Sequence, residues 1–179
     1  MRNTIKHFFI LFILFSCHTQ VNASTYTKSG LSVTKPDEWK LSMDSTLMGE
    51  RLVSFSTGEL SGFGLTIVTD NSDAYKNLEL SVYLNKSLQS IKPHGTVDEN
   101  FNISREDISR PPYTGVRINV DYYFLNEKKE IEIEAYMLTF EEAKIIAIFD
   151  TEKADLPGVS DKIHGVLNSI KYKTEQATP

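Results

Sequence analysis

"VRINVDYYFLNEKKEIEIEAYM", Val116 to Met137, is the stretch whose reading decides the fold. Val116, Ile118, Val120, Tyr122 and Phe124 alternate with Arg117, Asn119, Asp121 and Tyr123. Beyond the polar "NEKK", Ile131, Ile133, Ala135 and Met137 alternate with Glu130, Glu132, Glu134 and Tyr136. Alternation with a period of two marks a strand with one face covered, because successive side chains point to opposite faces. The short link between the two runs predicts an antiparallel hairpin. Register follows from the pattern, since a slip of one residue would turn every apolar side chain outward. Opposed residues must have odd-numbered sums, and a sum of 255 sets Phe124 against Ile131, Tyr122 against Ile133 and Val120 against Ala135. The same register sets Asp121 against Glu134 and Tyr123 against Glu132 on the polar face.

That acidic row is the sharpest constellation in the chain. Carboxylates directly opposed repel by a few tenths to about 1 kcal/mol, so something must offset them. A hard cation is one answer, and Asp121, Glu132 and Glu134 are the candidate calcium ligands. A solvated strand face neutralised by Arg117 or by neighbouring lysines is the other.

Outward from the hairpin, "KIIAIF" (Lys144 to Phe149) is apolar at nearly every position, as a central strand covered on both faces requires. Short strands are expected at Leu31 to Val33, Leu52 to Ser56 and Leu65 to Thr69. The link "TGELSGFG" between the last two carries three glycines and reads as a loop. Val97 to Asp107 has room for one or two edge strands. Leu80, Leu84, Leu88 and Ile91 share one face of a helix expected over Leu78 to Ile91, with Asn77 to cap it and Pro93 to stop it. Val159, Ile163, Val166, Leu167 and Ile170 share a face of a second helix, Val159 to Ile170, with Pro157 and Gly158 before it. Strands with one helix mid-chain and one at the end predict an α+β fold, an antiparallel sheet with both helices packed on it.

The N-terminus reads as a secretory leader. Arg2 and Lys6 precede eight apolar residues, Phe8 to Phe15, too few for the roughly twenty that span a bilayer. Cleavage after Val21-Asn22-Ala23 gives a signal peptide of residues 1–23. Leu14-Phe15-Ser16-Cys17 resembles a lipobox, and cleavage there gives a leader of residues 1–16 and a lipid on Cys17. The expected organisation is the leader, one domain over residues 24–172 and a polar tail over 173–179. Cys17 is the single cysteine, so no disulfide is available to the domain. Without the leader the balance is 17 basic against 24 acidic residues, a net charge of −7. An acidic, dispersed balance argues against nucleic acid, which needs a basic face.

Three landmarks together resemble a known family. They are "SGLSVTKPDEW" with its Pro-x-x-Trp turn, the mid-chain helix "LELSVYLNKSLQSIK", and the ending "IAIFDTEKADLPGVSDKIHGVLNSIKY". The chain resembles the PsbP-like superfamily over about Tyr26 to Tyr172. That superfamily includes photosystem II extrinsic PsbP, the Ran-binding Mog protein and DcrB-like envelope proteins. The resemblance implies an α/β/α sandwich around an antiparallel sheet, Trp39 as a packing anchor, and a role as a binding or assembly accessory.

No catalytic motif accompanies these features. The nucleophile elbow, the phosphate loop and the Ser-x-x-Lys box are missing, and no histidine pair has metal-binding spacing. His94 and His164 stand alone as ordinary surface histidines. Two aromatics are candidate partner-binding residues: Phe63 among its glycines, and Tyr113 after Pro111-Pro112. Their alternative is packing, Phe63 onto the sheet and Tyr113 at a stiffened turn. The sequence thus predicts an exported, non-enzymatic accessory protein with no cofactor, acting on an envelope protein partner. The alternative is a periplasmic small-ligand or divalent-cation module.

Overall fold

The computed structural model describes residues 22–47, 49–57, 61–69, 78–91, 102–124, 127–153 and 155–173. The leader with Cys17, the Asn77 cap, Pro93, His94 and residues 174–179 lie outside them.

Ten strands and two helices form the described chain: β1 (Ala23–Lys28), β2 (Leu31–Pro36), β3 (Lys40–Leu47), β4 (Glu50–Ser56), β5 (Gly62–Thr69), α1 (Leu80–Ile91), β6 (Asn102–Arg110), β7 (Tyr113–Phe124), β8 (Glu127–Thr139), β9 (Ala143–Glu152), α2 (Leu156–Ser169) and β10 (Lys171–Tyr172). A seven-stranded sheet runs in the order β3-β4-β5-β9-β8-β7-β6, and a three-stranded sheet in the order β1-β2-β10. Every pairing is antiparallel. The fold is α+β, as the alternation and the two helical stripes predict.

The "KIIAIF" strand is β9, the middle of seven, and both its faces are covered. Ile145, Ala147 and Phe149 face one core, with α2, while Ile148 faces the other, with α1. The first core holds Trp39, Phe55, Phe63, Tyr136 and Phe149 together with Val159, Ile163, Val166 and Leu167 of α2. The second packs Leu80 and Leu84 of α1 on Val116, Ile118, Val120 and Ala135. The α2 stripe is buried at every expected position, including Ile170. Pro157 occupies its first turn, where a missing N–H costs nothing.

Three features depart from the expected plan. One sheet was expected, and the small sheet is an addition: Ser169 ties α2 to it, its Oγ accepting from Thr34 N at 2.9 Å and donating to Thr34 O at 3.0 Å. β3 was not anticipated: Leu41, Met43 and Leu47 stand at alternate positions, but Ser45 breaks the apolar series, the strand covers no core, and a bulge between Leu41 and Met43 interrupts its register. Gly62 and Gly64 lie inside β5 and not in a loop. Gly62 stands opposite Asp150, and a Cβ there would come within 2.8 Å of Asp150 Oδ1, so the glycine makes room for a carboxylate.

Trp39 is a packing anchor, as the resemblance implied. Its ring lies 5.7 Å from Phe63 and 6.4 Å from Phe149. Its carbonyl accepts from Lys35 Nζ at 2.5 Å, which gives that buried ammonium a partner.

Candidate functional site

A single cross-strand row crosses the whole large sheet on the α2 side: Leu41, Phe55, Phe63, Phe149, Glu134, Arg117 and Glu106 are successive register partners. Its first half is aromatic. Phe55, Phe63 and Phe149 stack with ring centroids 5.8 and 4.6 Å apart and planes within 15°. Phe63 is therefore fully buried at the centre of the core, and its candidacy as a partner-binding residue is overturned. Lacking side chains, the flanking Gly62 and Gly64 mark a strand position and not a mobile loop.

The second half of the row is ionic, and it contains the acidic hairpin. The observed register differs from the expected one by four residues. Arg117, not Asp121, lies opposite Glu134, and Asp121 lies opposite Glu130. The expected register took Lys128 and Lys129 as loop, whereas both continue β8 and leave only residues 125–126 as the connection. The corrected register replaces a like-charge clash with an attraction.

Glu134 is 2% exposed and fully engaged. Arg110 grips it through Nε at 3.0 Å and Nη2 at 3.0 Å, Arg117 Nη2 lies 2.6 Å away, and Tyr136 Oη donates at 2.5 Å. Burial alone would push its carboxyl up, but these donors outweigh it and hold the group below the usual carboxylate range. Burial and the same carboxylate raise the Tyr136 phenol well above its usual value. Arg110 also donates to Ser160 Oγ at 3.1 Å, which couples the network to α2. Glu132 meets Arg117 Nε at 3.2 Å, and its pKa is raised by burial and by the nearby Glu134 and Glu106.

Asp121 belongs to a separate surface cluster. Its oxygens lie 3.6 Å from Lys128 and 4.0 Å from Lys153, and Lys153 reaches Glu130 at 2.9 Å. The pairing with Lys128 and Lys153 holds Glu130 down at about 2. A polar hollow of about 290 Å³ lies beside it, lined by Ser104, Asn119, Asp121 and Lys153. Glu132 and Glu134 thus share an arginine while Asp121 sits among lysines. Among the described residues no group of three or more His, Cys, Asp or Glu is placed to hold a metal ion.

Tyr113 is half-buried and fastens β7 to the end of α2. Its Oη donates to Asn168 Oδ1 at 3.0 Å, and its ring lies 6.4 Å from His164.

Two surfaces were not visible in the sequence. The first is the β3 edge. Leu41, Met43 and Leu47 are 50%, 42% and 61% exposed, and they are three of the four large exposed apolar residues among those described. The second is a groove of about 790 Å³ between the start of α1 and one end of β6, β7 and β8. Val116 and Met137 form its floor, and Glu79, Arg105 and Asp107 stand on its rim.

No protein-family model matches the chain, and no curated protein sequence matches it. Solved structures do. Cyanobacterial PsbP (CyanoP) from Synechocystis is similar over 89% of this chain and 99% of its own, at 11% identity and a TM-score of 0.53. A Bacteroides thetaiotaomicron protein is similar over 87% of this chain, which spans 50% of that one, at 11% identity and a TM-score of 0.50. LpqN of Mycobacterium tuberculosis, described as involved in cell envelope biogenesis, aligns over 84% of this chain and 91% of its own at 9% identity and a TM-score of 0.42. No helix among the described residues is long and apolar enough to cross a membrane. At such identities the likeness is one of architecture, and the architecture of this chain is the PsbP-like fold.

Proposed function

We propose that this chain is an exported bacterial envelope accessory protein that works by protein–protein contact, without catalysis and without a cofactor. The observation that carries the reading is the β3 edge. Exposed apolar side chains on an edge strand, Met43 and Leu47 on one face and Leu41 across the bulge on the other, mark a surface built for a partner, since isolated monomers blunt such edges with charge. The leader supports export, to the periplasm or beyond, with a lipid anchor on Cys17 as the alternative form. The paired state of Glu134 and Asp44 supports a non-enzymatic role, because both carboxylates are consumed by arginines.

Capture from envelope extract with the tagged full chain tests the proposal. A stoichiometric protein partner that Met43→Lys with Leu47→Lys abolishes is the expected result. Capture of nothing in that extract, by a chain that also fails to self-associate, overturns it. Mass spectrometry of the mature N-terminus separates Ser24 from an acylated Cys17.

A second reading, a small-ligand or divalent-cation module, draws on the groove beside α1. Glu79, Arg105 and Asp107 on its rim have no ion pair among the described residues, so their charges are free for a ligand. A melting shift with millimolar calcium or a metabolite panel, lost in Arg105→Ala or Asp107→Asn, would favour it.

A further inference from the structure

The two edges of the large sheet are unlike. β6 turns Ser104, Arg105, Glu106 and Asp107 to solvent, the charged kind of edge that resists pairing. β3 carries two charges. Lys40 opens the strand, before the bulge. Asp44 is spent within its own protomer, ion-paired with Arg51 at 2.9 Å and Lys28 at 2.6 Å, and accepting from Tyr26 Oη at 2.7 Å. Past the bulge, Met43 to Leu47 pairs regularly with β4 on one side only. On the other side its backbone groups have no strand partner among the described residues.

We propose that a second copy of this chain occupies this edge, β3 pairing with β3 antiparallel about a two-fold axis at Ser45. The inference rests on the contact reading above and names the partner. Its warrant is that the segment is complementary to itself. The axis sets Met43 against Leu47 of the second copy twice over, on one face of the joined sheet. It sets Asp44 against Thr46, so no like charges meet, and Ser45 against Ser45, where a small side chain fits the axis. The parity is right: Met43, Ser45 and Leu47 share one face, and Asp44 and Thr46 share the other. The Asp44 charge is neutralised before association, so pairing leaves no unmatched carboxylate at the seam. An isologous contact of this kind closes on itself and ends with two copies.

The test uses the full chain expressed with its leader. Ser45→Cys is expected to give a disulfide-linked dimer under oxidising conditions, with the unaltered chain as the control for Cys17. Sedimentation is expected to show a concentration-dependent dimer. Met43→Lys with Leu47→Lys weakens that dimer by roughly a hundredfold while leaving the melting temperature of the monomer unchanged, because both residues are exposed. A monomer mass up to about 1 mM overturns the inference, as does a dimer that survives the double substitution and does not crosslink through residue 45. A monomer that still captures another envelope protein through the same edge overturns the second copy but leaves the contact reading standing. A monomer that captures nothing removes both.

Discussion

Phe149 and Glu134 are direct register partners on β9 and β8, and at this pair the row crossing the sheet changes from aromatic to ionic. On one side the row continues into stacked phenylalanines under α2. On the other it continues into Arg117 and Glu106, in ion pairs that reach solvent. Glu134 therefore carries a charge at the margin of the core, and its two arginines and Tyr136 make that possible.

Removing the carboxylate is expected to be costly. Glu134→Ala leaves Arg110, Arg117 and Tyr136 facing a gap, and breaking a buried pair from one side typically costs about 3–5 kcal/mol. The arginines are partly exposed, so the lower end of that range is expected in urea unfolding. A loss below about 1 kcal/mol would mean that water replaces the carboxylate.

The same carboxylate gives an acid limit. Its folded pKa lies below the unfolded value, so its stabilisation is present above about pH 4 and is lost as pH falls through the folded value. Asp44, held low by Arg51, Lys28 and Tyr26, acts with the same sign. Melting temperature is expected to fall steeply below about pH 4. In Glu134→Gln that slope should be shallower.

Asp150 works the other way. Burial raises its pKa, opposed only by a backbone hydrogen bond, so its ionised form costs stability above the folded pKa and protonation relieves that cost as pH falls. Asp150→Asn is expected to raise the melting temperature at pH 7, and the gain should shrink on acidification. A gain independent of pH would point to packing and not to charge.

Two glycines separate backbone need from composition. A Cβ on Gly115 would lie 2.5 Å from Ala135 O and 2.6 Å from the Tyr136 ring, which covers this glycine from the neighbouring strand. Gly115→Ala should cost about 1–3 kcal/mol through strain and displacement of Tyr136. Gly64 has nothing within 4 Å of its virtual Cβ, and Gly64→Ala should be neutral or stabilising by about 0.5–1 kcal/mol. Thermal melts of the two variants side by side check both.

Much of this architecture was legible because period is a physical signal. The hairpin, the central β9 and the α2 stripe follow from where apolar residues recur, and burial requires that recurrence. Register was less legible. Lys128 and Lys129 read as loop because they are charged, yet on a polar face charge is compatible with a strand. β3 and β10 were illegible for opposite reasons: β3 is exposed and interrupted by a bulge, and β10 is two residues long. At the polar site, Glu134 could be picked out, but its companions Arg110 and Tyr136 could not. Arg110 reaches it across the β6–β7 turn, a contact that depends on register and not on local pattern. Phe63 misled because glycines beside it suggested mobility, whereas both lie within β5 and Gly62 makes room for Asp150 on the neighbouring strand.

The central place of β9 also fixes when the molecule can form. Among the described residues, β3, β4 and β5 join the rest of the large sheet through residues 143–150 alone, about eighty positions further along the chain, and β10 must return to β2 from the far end. Such distant pairings close slowly, because chain entropy is lost before the contacts reward it. A nascent chain lacking its last forty residues has neither β9 to join the two halves of the large sheet nor α2 to cover the first core. For a chain exported through a narrow translocation channel, as proposed above, that delay would be an asset written into strand order.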